Sequence, residues 1–205
     1  MLEKAKTLAL RSCLLSGGSS RRMGRDKALL PHPSGGTWLQ HGLVTLDELG
    51  APITLLSRWP DHWALAQSLE LPKLEITHEP PPWEGPLLAL HRLMTQHPNE
   101  QLLLCPVDMP NLNTAVLHML REAAASAPQS IHIAHDGERR QPLLGIYPSG
   151  CGTRASLSAT IAAGERSLQR WLSTQPVRDV PLEAKAILNV NHPWALNHAP
   201  KQAPA

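Results

Sequence analysis

The sequence predicts an α/β fold, a mainly parallel β-sheet flanked by helices, and two patterns predict it. Short apolar runs rich in Leu, Ile and Val alternate with longer segments of helical period, and strands separated by helices of about 10–15 residues build βαβ units. The segments richest in glycine and charge follow directly on several of those apolar runs. That is where open parallel sheets bind their ligands, beyond the carboxyl ends of the strands.

Taken in order, residues 7–15 read as the first strand, with Cys13 a small apolar residue inside it. Residues 37–49 carry the first helical pattern, and Ile53–Ser57 the second strand. Residues 61–69 read as a helix with Asp61 as its N-cap. Residues 73–77 form the third strand, and Gly85-Pro86 opens a helix over 86–95. The fourth strand covers 101–105, including Cys105, and Asn113 caps a helix over 114–125. Residues 130–135 and 143–147 are strands on either side of Asp136-Gly137, a hairpin-turn signal, so the sheet is expected to become partly antiparallel there. A last helix falls over 152–163. One domain over 1–198 is expected, with 199–205 a frayed tail.

Composition narrows the function classes. The chain has 205 residues and a hydrophobic fraction of 42%, yet no Phe and one Tyr, so aliphatic side chains must fill the core. A net charge of +2 argues against a duplex-DNA partner, which calls for a basic domain or stripe. The three cysteines lie far apart and no Cys/His spacing suggests zinc. No apolar run reaches the roughly 18 residues of a membrane span, and the N-terminal stretch lacks the features of a signal peptide. The expectation is a cytoplasmic protein with neither nucleic acid nor membrane as partner.

The richest segment is 14–27, Leu-Leu-Ser-Gly-Gly-Ser-Ser-Arg-Arg-Met-Gly-Arg-Asp-Lys. Gly17 and Gly18 let backbone lie close against a ligand, and consecutive amides in such a turn make an anion-binding concavity. Arg21, Arg22, Arg25 and Lys27 add four cations against the single carboxylate of Asp26. A solvated turn is the structural alternative, and neither G-x-x-x-x-G-K-[ST] nor G-x-G-x-x-G is present. Lys27 could stabilise charge on an α-phosphate, and Arg21 and Arg22 could grip terminal phosphates; sequence does not divide these roles. Asp108, in Leu-Cys-Pro-Val-Asp-Met-Pro just past the fourth strand, could cap a turn or hold magnesium, which takes one or two carboxylates alongside substrate phosphates. The glycine loop favours the metal. Asn189 and Asn191 have the spacing that puts two amides on one side of an extended segment. The eleven histidines form no nucleophilic triad, and there is no G-x-S-x-G elbow.

Together these motifs resemble the molybdenum cofactor guanylyltransferases, within the MobA-like nucleotidyltransferases. Leu15-Ser16-Gly17-Gly18 followed by Arg22-Met23-Gly24-Arg25-Asp26-Lys27 resembles the signature L-x-G-G…R-M-G-x-D-K. Gly85-Pro86-Leu87, the segment from Cys105 to Pro110, His135-Asp136-Gly137-Glu138-Arg139 with Gln141-Pro142, Gly164-Glu165-Arg166 and Asn189-Val190-Asn191 resemble its later motifs, in order. The resemblance implies a Rossmann-like three-layer sandwich of the nucleotide-diphospho-sugar-transferase type. It implies GMP transfer from GTP to the phosphate of molybdopterin, giving molybdopterin guanine dinucleotide and pyrophosphate with Mg2+. Leu15, Ser16, Gly17 and Gly18 would contact the nucleotide, Lys27 and Arg22 its phosphates, and Asp108 the magnesium. Ser57, Glu79 and Gly85 would border the nucleotide, with Asn189 and Asn191 on the pterin side. Molybdenum-insertion proteins and recipient molybdoenzymes would be its further partners.

The chain departs from the pattern at two places. Ser57 stands where the family often has Asn, and Glu79 where it has Asp, both expected near guanine and ribose. Cytidylyl transfer to molybdopterin is the nearest alternative, although such enzymes tend to carry Ala-Ala-Gly in place of Ser16-Gly17-Gly18. Other nucleotidyltransferases, acting on sugar phosphates, share the first loop but not Asn189-Val190-Asn191. A non-catalytic carrier of the cofactor is the alternative outside enzymes.

Overall fold

The computed structural model describes residues 8–18 and 26–190. The strands are β1 (Ala9–Leu15), β2 (Ile53–Ser57), β3 (Leu74–His78), β4 (Glu100–Pro106), β5 (Ile131–His135), β6 (Arg140–Pro148) and β7 (Val177–Pro181). They form one seven-stranded sheet in the order β3-β2-β1-β4-β6-β5-β7. Pairing is parallel from β3 through β4, antiparallel on both sides of β6, and parallel again between β5 and β7. The hairpin expected at Asp136-Gly137 is therefore the source of the one reversed strand. Asp136 builds that turn by accepting hydrogen bonds from the backbone N–H groups of Glu138 and Arg139.

The helices are α1 (Trp38–Asp47), α2 (Pro60–Gln67), α3 (Pro86–Gln96), α4 (Thr114–Ser126), α5 (Cys151–Ala162) and α6 (Leu168–Leu172). Alternation along the central strands sorts the core into two layers. Leu14, Leu103 and Cys105 join one apolar cluster with Leu39 and Leu43 of α1, Ala66 of α2 and Leu117 of α4. Cys13, Leu102 and Leu104 face the other way, against Leu87 and Leu90 of α3, Leu157 of α5 and Trp171 of α6. Successive strand residues point to opposite faces, so this is a sheet buried on both sides between helical layers. Burial also pushes the Cys13 and Cys105 thiols far above their ordinary range, which makes them inert packing groups.

Three elements differ from expectation. Asp61 is not the cap of α2: Trp59 holds that position without a side-chain bond, and Pro60 opens the helix. Proline suits that place because its missing N–H would be unpaired anyway, and Asp61 in the first turn favours the helix dipole. Helix α6 is five residues long, too short to show a helical period, and its start is fixed by Ser167 accepting from the Arg170 N–H. β7 is an edge strand, Val-Arg-Asp-Val-Pro, mostly exposed and so nearly without apolar signal. Asn113 does cap α4, accepting from the Val116 N–H.

Candidate active site

The loop after β1 leaves the centre of the sheet and is stitched to both neighbouring strands. The Ser16 N–H donates to the Leu56 carbonyl at 3.0 Å, and the Val107 N–H donates to the Leu15 carbonyl at 3.1 Å. A buried histidine from α2 then joins the two ends of the loop. His62 Nδ1 lies 3.1 Å from Ser16 Oγ and 3.0 Å from Ser57 Oγ, and its Nε2 lies 2.8 Å from Asp26 Oδ2. A carboxylate there can only accept, so Nε2 carries its hydrogen. The other oxygen of Asp26 accepts the Ala28 N–H at 3.0 Å and caps the single 3-10 turn Lys27–Leu29. Lys27 thus starts from a fixed backbone. On the rim, Trp59 Nε1 donates to the Gly18 carbonyl at 3.1 Å. Arg21, Arg22 and Arg25 lie outside the described residues.

Lys27 meets Asp108, as the two motifs suggested. Its Nζ lies 3.3 Å from Asp108 Oδ2, and the two side chains are 11% and 21% exposed. Asn189 holds the other oxygen, its Nδ2 donating to Asp108 Oδ1 at 2.9 Å, while the Val190 N–H donates to the Asp108 carbonyl at 2.9 Å. The late Asn-Val segment therefore closes back on the end of β4. Asn189 Oδ1 is buried with no hydrogen-bond partner among the described residues, an acceptor left over beside the carboxylate. Asn191 lies outside the described residues. Among the described residues no group of three or more His, Cys, Asp or Glu could hold a metal. Asp108 fits a cation that takes one protein carboxylate and completes its shell with phosphate oxygens and water, as magnesium does.

The opposite wall comes from the ends of β2 and β3. The Glu79 N–H donates to the Ser57 carbonyl at 2.8 Å, and Arg92 of α3 pairs with its carboxylate at 3.2 Å. Burial raises the Glu79 pKa above the usual carboxylate range, and Arg92 and Arg58 oppose this. Gly17 faces it closely: a Cβ on Gly17 would stand 2.2 Å from Glu79 Oε2. Gly85, at φ 99°, ends the linking loop and precedes Pro86 of α3, a conformation that glycine takes without strain. Between the walls lies a cleft of about 510 Å3, lined by Leu15, Ser16, Gly17, Gly18, Lys27, Glu79, Gly85 and Asp108, with Arg58 and Trp83 at its border. Ser57 is placed differently. It is fully buried beneath the loop, donating to the Ser16 carbonyl and accepting from the Trp59 N–H, so it supports the cleft instead of lining it.

Sequence reasoning did not single out His62, Arg58, Trp59, Trp83 or Arg92. The histidine had a faint signal, a polar residue one turn into the helix that follows the second buried strand. Its partners Ser16 and Asp26 could be joined to it only through the sheet order.

Comparisons with known proteins bear on the fold and the family. Residues 12–180 match the family described as the MobA-like NTP transferase domain. A protein of Rhodopirellula baltica, named probable molybdenum cofactor guanylyltransferase, is 36% identical over 88% of this chain and 86% of its own. The solved structure of molybdopterin-guanine dinucleotide biosynthesis protein A from Archaeoglobus fulgidus superposes with a TM-score of 0.72 at 19% identity, over 92% of this chain and 96% of that one. The fold is shared more widely: 4-diphosphocytidyl-2C-methyl-D-erythritol synthase from Anaerococcus prevotii superposes with a TM-score of 0.74 at 12% identity, over 94% and 95%. The fold alone thus does not choose a base, but sequence and fold together establish that the chain belongs to the MobA-like NTP transferase family.

Proposed function

We infer that this protein transfers GMP from GTP to the phosphate of molybdopterin, forming molybdopterin guanine dinucleotide and releasing pyrophosphate. The observation that carries the reading is the Lys27–Asp108–Asn189 constellation at the mouth of a glycine loop, in a chain 36% identical to a probable molybdenum cofactor guanylyltransferase. An oxygen of the molybdopterin phosphate attacks the α-phosphorus of GTP. The bond from that phosphorus to the oxygen bridging to the β-phosphorus breaks, and the electron pair leaves with pyrophosphate. Such transfer needs positioning and neutralisation more than covalent chemistry from the protein.

The residues supply those needs. Amides of Gly17 and Gly18 border the phosphates, and Lys27, its backbone fixed by the Asp26 cap, brings a cation to the same wall as Asp108. Asp108 would hold Mg2+, which when bound neutralises charge on the triphosphate and the departing pyrophosphate. Asn189 orients the carboxylate, and its unpartnered Oδ1 suits the donor groups of a pterin on that side. Glu79 would stand near guanine and ribose, where burial and Arg92 fix its carboxylate.

The test offers purified protein molybdopterin, magnesium and each nucleoside triphosphate in turn, with product mass recorded. A GMP adduct and stoichiometric pyrophosphate are expected. A CMP adduct without a GMP adduct overturns the base assignment, and no pyrophosphate with any donor overturns the enzyme reading in favour of a carrier.

A further inference from the structure

Arg58, the residue after β2, borders the cleft yet makes no hydrogen bond or ion pair among the described residues. Its Nε is buried and without a partner, a state that a charged donor avoids unless something else satisfies it. The guanidinium is held by stacking instead. Its central carbon lies 4.7 Å from the ring centroid of Trp59 and 4.6 Å from that of Trp83. Both rings are themselves fixed, Trp59 Nε1 to the Gly18 carbonyl at 3.1 Å and Trp83 Nε1 to the Glu79 carbonyl at 3.0 Å. Stacking on aromatic faces orients a guanidinium while leaving its in-plane N–H fork for another partner.

Place in the sheet says which part of a nucleotide meets that fork. β2 and β4 flank β1 on opposite sides, so their ends stand about 10 Å apart at a strand spacing of about 4.8 Å. Lys27 and Asp108 occupy the β4 side, and Arg58 and Glu79 the β2–β3 side. With the triphosphate on Lys27 and Asp108, the base is carried towards Arg58. Ser57, the last residue of β2, is buried and engaged beneath the loop, so the base needs another reader.

We propose that Arg58 is that reader, donating to the O6 and N7 acceptors of guanine and selecting GTP over pyrimidine donors. Guanidinium to O6 and N7 is the pairing that distinguishes guanine from the other bases along that edge. The inference rests on the guanylyl-transfer reading.

Binding to the full-length protein with magnesium is measured calorimetrically for GTP, 7-deaza-GTP, which lacks the N7 acceptor, and CTP. Wild type is expected to bind 7-deaza-GTP several-fold more weakly than GTP. Arg58→Met is expected to lose about 5- to 150-fold in GTP affinity, with CTP little changed and 7-deaza-GTP no longer distinguished from GTP. Arg58→Lys, which keeps charge but not the planar fork, is expected to lose most of the same discrimination. Equal binding of GTP and 7-deaza-GTP by wild type overturns the proposal without any variant, as does an equal loss of GTP and CTP in Arg58→Met. Both results leave GMP transfer standing. Failure of wild type to bind GTP or transfer GMP removes the parent reading itself.

Discussion

Asp108 is gripped from two sides, by Lys27 Nζ at one oxygen and Asn189 Nδ2 at the other, so each partner can be removed separately. Asp108→Asn keeps the shape and loses the charge; pyrophosphate release in the presence of GTP and molybdopterin is expected to fall at least about 100-fold, with the circular dichroism spectrum unchanged. Asn189→Ala leaves the carboxylate in place but unaimed. Partners that orient a metal-holding carboxylate typically account for about 10- to 100-fold in affinity, so the magnesium needed for half-maximal rate is expected to rise by that factor and excess magnesium to restore the rate. The two loop glycines should separate in the same way. A Cβ at Gly18 meets nothing within 4 Å among the described residues, whereas one at Gly17 meets Glu79 Oε2 at 2.2 Å, on a carboxylate whose other oxygen pairs with Arg92. Gly17→Ala must therefore displace the Glu79 carboxylate, and its unfolding temperature is expected to drop while that of Gly18→Ala does not.

Helix α2 is short, and its main service to the site is one side chain. His62 reaches Ser16, Ser57 and Asp26 from a position 1% exposed. Replacing it by Leu strands buried polar groups at about 1–3 kcal/mol each, and at roughly 2–4 °C per kcal/mol for a chain of this length a single stranded group lowers the Tm by about 2–12 °C. Because Asp26 would also lose its outer partner, KM for GTP is expected to rise in the same variant; an unchanged KM would confine His62 to stability. The histidine also marks what was legible in the sequence. The positions of the first six strands, the glycine loop, Lys27 and Asp108 could be read because each rests on a local pattern: an apolar run, a pair of residues without side chains, a carboxylate at a strand end; the order of the strands in the sheet could not. Their juxtaposition with Asn189 was readable only by resemblance. Contacts such as His62 to Asp26, or Arg58 to Trp83, are fixed by the packing of α2 and the β3–α3 loop against the sheet, and no local pattern encodes them. The edge strand β7 escaped for a related reason, since exposure on most of its length removes the alternation by which a half-buried strand is recognised.

Across the whole molecule, buried titratable groups set the response to pH. His41, His97 and His132 all have pKa values lowered mainly by burial. The unfolded chain then binds protons that the native state resists, so their contribution is intact above the ordinary histidine pKa of about 6.5 and is lost as pH falls below it. Asp136, in the hairpin turn, acts in the same direction at lower pH. The Arg139 and Glu138 N–H groups and Gln141 hold its pKa down to about 2, and its contribution disappears between the ordinary aspartate range and that value. Glu79 has the opposite sign, its raised pKa making the native state a better proton acceptor. Three histidines against one glutamate imply a Tm that declines from pH 7 to pH 5. His132 offers the sharpest test of that decline. It sits on β5 at 1% exposure, neither ring nitrogen makes a well-formed hydrogen bond among the described residues, and the Ser130 backbone, which favours the protonated ring, is outweighed by burial with Arg178 on β7 adding a repulsive charge. His132→Leu keeps similar volume and removes both the unsatisfied nitrogens and the titration. Its Tm is expected to rise by roughly 2–8 °C at pH 7 and its decline towards pH 5 to become shallower than that of wild type. A parallel decline in the two proteins would assign the acid sensitivity to His41 and His97 and remove His132 from it.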